Sequence, residues 1–155
     1  MNGECTKRHY IPQVAVRLVR EGSIITSEPK IIRQPSNTIP LLEKIFEGLI
    51  VEQFVAILLN TKNHVLAVSI VSSGNVNSSI VRPAELFRIA LLQGGTTTSV
   101  ILAHNHPSGD PSPSQEDISL TKRLVEAGKL LDISVLDHII YSDSSYVSFK
   151  EKGIL

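Results

Sequence analysis

Two histidines, His104 and His106, follow the apolar run 97–103, which reads as a β-strand. Residues i and i+2 of a strand project to the same side, so both imidazoles can face one point. Two converging imidazoles are half of a zinc site, with Zn–N bonds of ~2.0–2.1 Å. The other half follows the loop that begins Pro107-Ser108-Gly109-Asp110-Pro111. Ser112 suits a helix N-cap, Pro113 the first helical position, and Gln115 the matching residue of a capping box. A helix over 113–130 then puts Ser114 and Asp117, three residues apart, on one face. A first turn facing the strand end brings Asp117 to the same point, with Ser114 beside it. Two histidines and one carboxylate leave a fourth zinc position for water, the mark of a catalytic centre rather than a closed structural one. His104, His106 and Asp117 are therefore the candidate ligands, for one zinc per chain.

Proline at 107, 111 and 113 lowers the loop's conformational freedom, and Gly109 supplies the turn freedom that proline removes. A lone His-x-His is a weak signal; joined to Ser114 and Asp117 at the head of a helix it is specific. The letters His104-Asn105-His106 also suggest an HNH nuclease. That site draws its residues from separate parts of a ββα element, which adjacent residues cannot supply. A zinc deaminase needs His-x-Glu and a later Cys-x-x-Cys, and Cys5 is the single cysteine. The same count excludes an intramolecular disulfide.

The elements that must position these residues can be read along the chain. The first thirty or so residues are the least regular and mildly basic. Their alternating piece at 14–19 reads as an arm or edge strand. Pro35-Ser36-Asn37-Thr38 opens a helix over 39–46 that stops near Gly48. Apolar runs at 52–59 and 64–71, joined by Asn60-Thr61-Lys62-Asn63, read as a hairpin. Arg82-Pro83-Ala84-Glu85 opens a second helix, with Leu86, Ile89, Ala90 and Leu92 on one side, ending at Gly94-Gly95. The third strand and the 113–130 helix follow, the latter with Leu120, Leu124, Ala127 and Leu131 at helical spacing. Runs at 133–141 and 146–149 are the last strands. Strands and helices in this order define an α/β layered domain with helices packed on a sheet.

Composition sets the class. The 155 residues fit one ordinary domain, and 42% apolar with 19% charged residues excludes a largely disordered chain. Fifteen basic and fifteen acidic residues give a net charge of zero, which argues against a domain built for non-specific nucleic-acid binding. No apolar stretch reaches the ~18 residues of a membrane span, and the first residues lack the apolar stretch of a signal peptide. The expectation is a cytoplasmic protein with no membrane partner.

The spacing His104-x-His106, seven residues, Ser114, two residues, Asp117 resembles the metal signature of the JAMM/MPN metalloprotease family. Ala103-His104-Asn105-His106-Pro107-Ser108-Gly109, Asp137-His138-Ile139-Ile140 and Ser148-Phe149-Lys150-Glu151-Lys152-Gly153 resemble its RadC branch. The likeness covers residues 31–155. It implies a three-layer α/β/α domain of the JAMM/MPN, cytidine-deaminase-like type with a mixed sheet. It further implies zinc held by His104, His106 and Asp117, and an upstream glutamate that takes a proton from the zinc-bound water. Ser114 would steady the tetrahedral intermediate. Glu43, Glu47, Glu52 and Glu85 all precede the motif; Glu52 opens an apolar strand as the family's Glu-x-Phe does and is the candidate base. The implied reaction is hydrolysis of a peptide or isopeptide bond in an unidentified protein or peptide substrate. Many RadC proteins carry an N-terminal helix-hairpin-helix region, and the thirty residues before the likeness are too few for one. The family's name suggests DNA repair, which would call for a basic groove near the metal; Asp110, Glu116 and Asp117 stand there instead. A non-catalytic zinc-containing interaction module is the other alternative. Beside Asp137, His138 reads as part of a structural pair at a strand end rather than a fourth ligand.

Overall fold

The structure is a computed structural model and describes residues 10–25, 30–74 and 81–155. Five strands form one mixed sheet in the order β2-β1-β3-β4-β5: β1 Gln53–Leu59, β2 Val65–Ser73, β3 Ser99–Asn105, β4 Ser134–Tyr141 and β5 Tyr146–Ser148. Three helices cover it: α1 Ile39–Phe46, α2 Pro83–Leu92 and α3 Gln115–Leu130. β1 runs antiparallel to both β2 and β3, whereas β3 and β4 are parallel and joined through α3. A parallel pair needs such a crossover, because no tight turn can return the chain to the same direction.

The two sheet faces follow from strand alternation. Val55, Ile57 and Leu59 of β1 and Ile101 and Ala103 of β3 pack with Leu42 and Phe46 of α1. Phe54, Ala56 and Leu58, with Val100 and Leu102, pack with Leu86, Phe87 and Ala90 of α2 and Leu120 and Leu124 of α3. Every residue of β1 and β3 is buried, so the central strands are apolar on both faces and the domain is the expected α/β/α sandwich.

Two irregularities bear on the site. In the β3–β4 ladder Val100 pairs with Val135 but Ile101 with Asp137, so Leu136 is an extra residue in β4. One inserted residue inverts the facing of all that follows. His138 thereby lies level with Leu102, on the face covered by α3. The second irregularity is the arm. Residues 10–25 carry no regular structure and are exposed, so of the arm or edge strand read at 14–19 no strand is formed. Val14, Val16 and Leu18 face solvent; a strand without a ladder partner has nothing to satisfy its backbone. Residues 1–9 and 26–29 of the expected arm lie outside the described residues.

Candidate metal centre

β3 ends two residues later than the sequence suggests, in that His104 and Asn105 are inside the strand and His106 is the first residue beyond it. His104 pairs with Phe54, whose ring lies parallel to the imidazole at a centroid distance of 5.9 Å. His106 continues the ladder by donating its N–H to the Tyr141 carbonyl at 2.8 Å. The loop then turns back on it. Gly109, at φ +87°, adopts a backbone that other residues resist, and its N–H donates to the His106 carbonyl at 3.1 Å. This brings the Asp110 carbonyl oxygen within 2.7 Å of His106 Nδ1.

The helix cap differs from the sequence expectation. α3 starts at Gln115, with Ser114, not Ser112, as N-cap and Asp117, not Gln115, as its capping-box partner. The reason is local. The Ser112 N–H is engaged by Asp110 Oδ1 at 2.9 Å in a turn of its own, which leaves the cap to the next hydroxyl. Asp117 N–H donates to Ser114 Oγ at 3.1 Å, and Asp117 Oδ2 accepts from the Ser114 N–H at 2.8 Å and hydroxyl at 2.6 Å. The carboxylate is therefore held on one oxygen, and Oδ1 lies toward His104.

His104, His106 and Asp117 each offer a ligand atom, and these atoms lie within 4.8 Å of one another. His104 Nε2 is 2.9 Å from His106 Nε2 and 3.3 Å from Asp117 Oδ1, and His106 Nε2 is 4.0 Å from Asp117 Oδ2. A tetrahedral ion with bonds of ~2.0–2.1 Å sets its donor atoms roughly 3.3 Å apart, within the observed spread. The donor chemistry fits as well. A carbonyl only accepts, so His106 Nδ1 must carry the proton given to Asp110, which leaves Nε2 of the neutral ring with a bare lone pair. That lone pair and a carboxylate oxygen point into one space, an arrangement that a cation satisfies. The side chains of His104 and Asp117 are 1% and 9% exposed, and that of His106 is 15% exposed, so the centre opens to solvent on the His106 side.

Burial shapes the electrostatics. It lowers the His104 pKa from 6.5 to about 4; the Asp117 charge opposes this and His106 adds to it. Burial, with His104 and His106 nearby, also holds His138 well below the usual range. Both rings are neutral at pH 7, the form in which imidazole binds metal. His138 stands in the middle of β4, completely buried, with Nε2 2.8 Å from His104 Nδ1 and Nδ1 2.6 Å from Thr121 Oγ1. It thus meets His104 on the side of the ring away from the other ligands. Its partner is not the Asp137 carboxylate, which accepts instead from the backbone N–H groups of His138 and Lys150 and from Ser148 Oγ.

Glu52 immediately precedes β1 and is half-buried. Continuing the β1–β3 register from Phe54–His104 puts Glu52 level with His106, on the same sheet face as His104. The pairing is locked by a residue to which the sequence assigned no role. Asn105 Oδ1 accepts from the Gln53 N–H at 2.7 Å, and Asn105 Nδ2 donates to the Val51 carbonyl at 3.0 Å, bracketing Glu52 on both sides. Glu43 and Glu47 belong to the α1 region, and Glu85 pairs with Arg88 on α2.

An α/β/α sandwich carrying two histidines of one strand end and an aspartate of the next helix as a cluster that could hold a metal ion has the architecture of a JAB-type domain. The RadC-like JAB domain family model matches residues 32–154. A UPF0758 protein of Desulforamulus reducens is 48% identical over 144 residues, covering 92% of this chain and 63% of the relative. One of Methanococcoides burtonii is 47% identical over 139 residues, covering 89% and 60%. A third, of Alkaliphilus metalliredigens, is 52% identical over 124 residues, covering 80% and 53%. The chain belongs to the RadC family, and it spans about three fifths of the length of the curated relatives it matches.

Proposed function

We propose that this chain is a zinc-dependent hydrolase of the JAMM type that cleaves a peptide or isopeptide bond. The observation that carries this reading is the convergence of His104 Nε2, His106 Nε2 and the Asp117 carboxylate on one space with a solvent-facing side. Zinc bound there supplies a Lewis acid that polarises a carbonyl and brings the pKa of water toward ~7. The protein's own groups do the rest. Glu52, level with His106, takes the proton of the attacking water and returns it to the leaving amine. Ser114 donates its hydroxyl to the developing oxyanion. For this it must turn from Asp117 Oδ2, the acceptor of its proton in the structure, while its backbone N–H keeps the carboxylate in place.

A small, mainly polar cleft beside His106 supports a peptide over a nucleic acid. Asn105, Ser142 and Asp143 line it beside Phe46, Leu49 and Tyr141, and among the described residues no lysine or arginine does. A polyanion would find no counter-charge there. Among the described residues no helix is long and apolar enough to cross a membrane.

The test is a digest of peptide and isopeptide libraries by zinc-loaded protein, beside single-stranded and duplex DNA. Wild type should cleave an amide. Glu52→Gln should keep its zinc and lose at least ~10²-fold in rate, the usual contribution of a general base. Cleavage of DNA and no peptide would overturn the reading, and full activity of Glu52→Gln would move the base elsewhere.

A further inference from the structure

His138 touches no ligating atom of the proposed ion, yet it is buried in contact with His104. Its proton can be located by following the hydrogen bonds inward from α3. Thr121 Oγ1 lies 2.6 Å from the Asp117 carbonyl oxygen. A carbonyl only accepts, and a hydroxyl has one proton, so that proton goes to Asp117. At its other contact, 2.6 Å from His138 Nδ1, the Thr121 oxygen must therefore accept, and His138 carries its proton on Nδ1. His138 Nε2 is then a bare acceptor 2.8 Å from His104 Nδ1, which must be the donor. A neutral His104 protonated on Nδ1 leaves Nε2 free, and Nε2 is the atom that faces Asp117 and His106.

We infer that Thr121 and His138 are positioning residues that fix His104 in the Nδ1–H tautomer and so hold its Nε2 ready for metal. This rests on the metal-centre reading and deepens it. Neutral histidine in water favours the opposite tautomer, with the proton on Nε2, so the required form has to be imposed. His106 has it imposed by the Asp110 carbonyl. His104, buried at the sheet, receives it through two side chains, His138 and Thr121. Asp117 provides both ends of the device. Its carboxylate faces the ion and its carbonyl starts the proton order, so a single helical turn couples two ligands. The bulge at Leu136 completes the arrangement, because without it His138 would face α1.

Ring-nitrogen NMR on metal-free protein and zinc affinity against a competing chelator test this together. Wild type should show Nδ1–H for both His104 and His138. Thr121→Val, which removes the hydroxyl at nearly constant shape, should lose the single tautomer at His104 and weaken zinc binding ~10–100-fold, the range for outer-shell partners. Thr121→Ser should restore both. Wild type with His104 protonated on Nε2 would overturn the inference, and that readout needs no variant to fold. Folded Thr121→Val with unchanged tautomer and affinity would overturn it while leaving the metal centre standing. Wild type with the expected tautomers but no zinc binding would instead overturn the metal centre.

Discussion

Each candidate ligand is held in place by hydrogen bonds from outside the cluster. His104 is fixed through Nδ1 by His138, His106 through Nδ1 by the Asp110 carbonyl, and Asp117 through Oδ2 by Ser114. Such partners are what give a site its geometry before the ion arrives. They also have a stability consequence. His104 and His138 have lowered pKa values in the fold, so as pH falls below 6.5 the unfolded chain takes up protons that the native rings refuse. Stability then falls with falling pH, and for His104 the loss continues to about 4. Thermal melts of metal-free protein should show a declining Tm between pH 6.5 and 5, above the carboxylate range. The slope is at most ~1.4 kcal/mol per pH unit for each such ring. A flat profile in that window would contradict the neutral, buried state of the two rings. The cluster was legible in the sequence because His104, His106 and Asp117 are joined by one strand end, one loop and one helical turn, so spacing alone carries the information. Thr121 is four residues beyond Asp117 and could have been found on that helix face. His138 faces the site only because of a bulge, which no residue pattern announced.

At the scale of elements, two close approaches keep β1, β3 and α3 in register. Asn105 bonds the start of β1, and Asn105→Ala leaves the buried Gln53 N–H without its acceptor. The expected cost is ~1–3 kcal/mol. Urea unfolding would show it, and an unchanged midpoint would remove Asn105 as the clamp around Glu52. Gly128 is the second. An added Cβ there would sit 2.4 Å from the Ile133 carbonyl oxygen and 3.1 Å from Phe87 Cζ. Alanine's helix preference, about 1 kcal/mol, is outweighed because the obstacle is backbone. Gly128→Ala should lower stability by ~1–3 kcal/mol, and a stabilised variant would show that α3 can retreat from the sheet. The element order and the bounds of α1 were readable because Pro, Gly and apolar runs mark them locally. The N-cap of α3 was misplaced by two residues, since Ser112 and Ser114 look alike until the Asp110 turn claims one of them. The alternation at 14–19 left arm and edge strand open for a different reason: it is a local pattern, and a strand needs a neighbour.

For the molecule as a whole, the sheet and the layer of α3 bring the candidate site groups to one end of the sheet. β3 and the residue just past it supply two imidazoles, α3 the carboxylate, and the residue before β1 is Glu52. The mixed topology makes this possible, since an antiparallel β1 begins where β3 ends, and the crossover from β3 to parallel β4 starts α3 at that same end. An ion bound there joins the central strand to the helix that covers it. Zinc content and X-ray absorption of the reconstituted protein, with His104→Ala as control, test this most directly. One zinc per wild-type chain is expected, with two imidazole nitrogens, the remaining neighbours oxygen, no sulfur, and loss of the metal in His104→Ala. A wild-type chain without stoichiometric zinc, or a shell containing sulfur or unchanged by His104→Ala, would contradict the account.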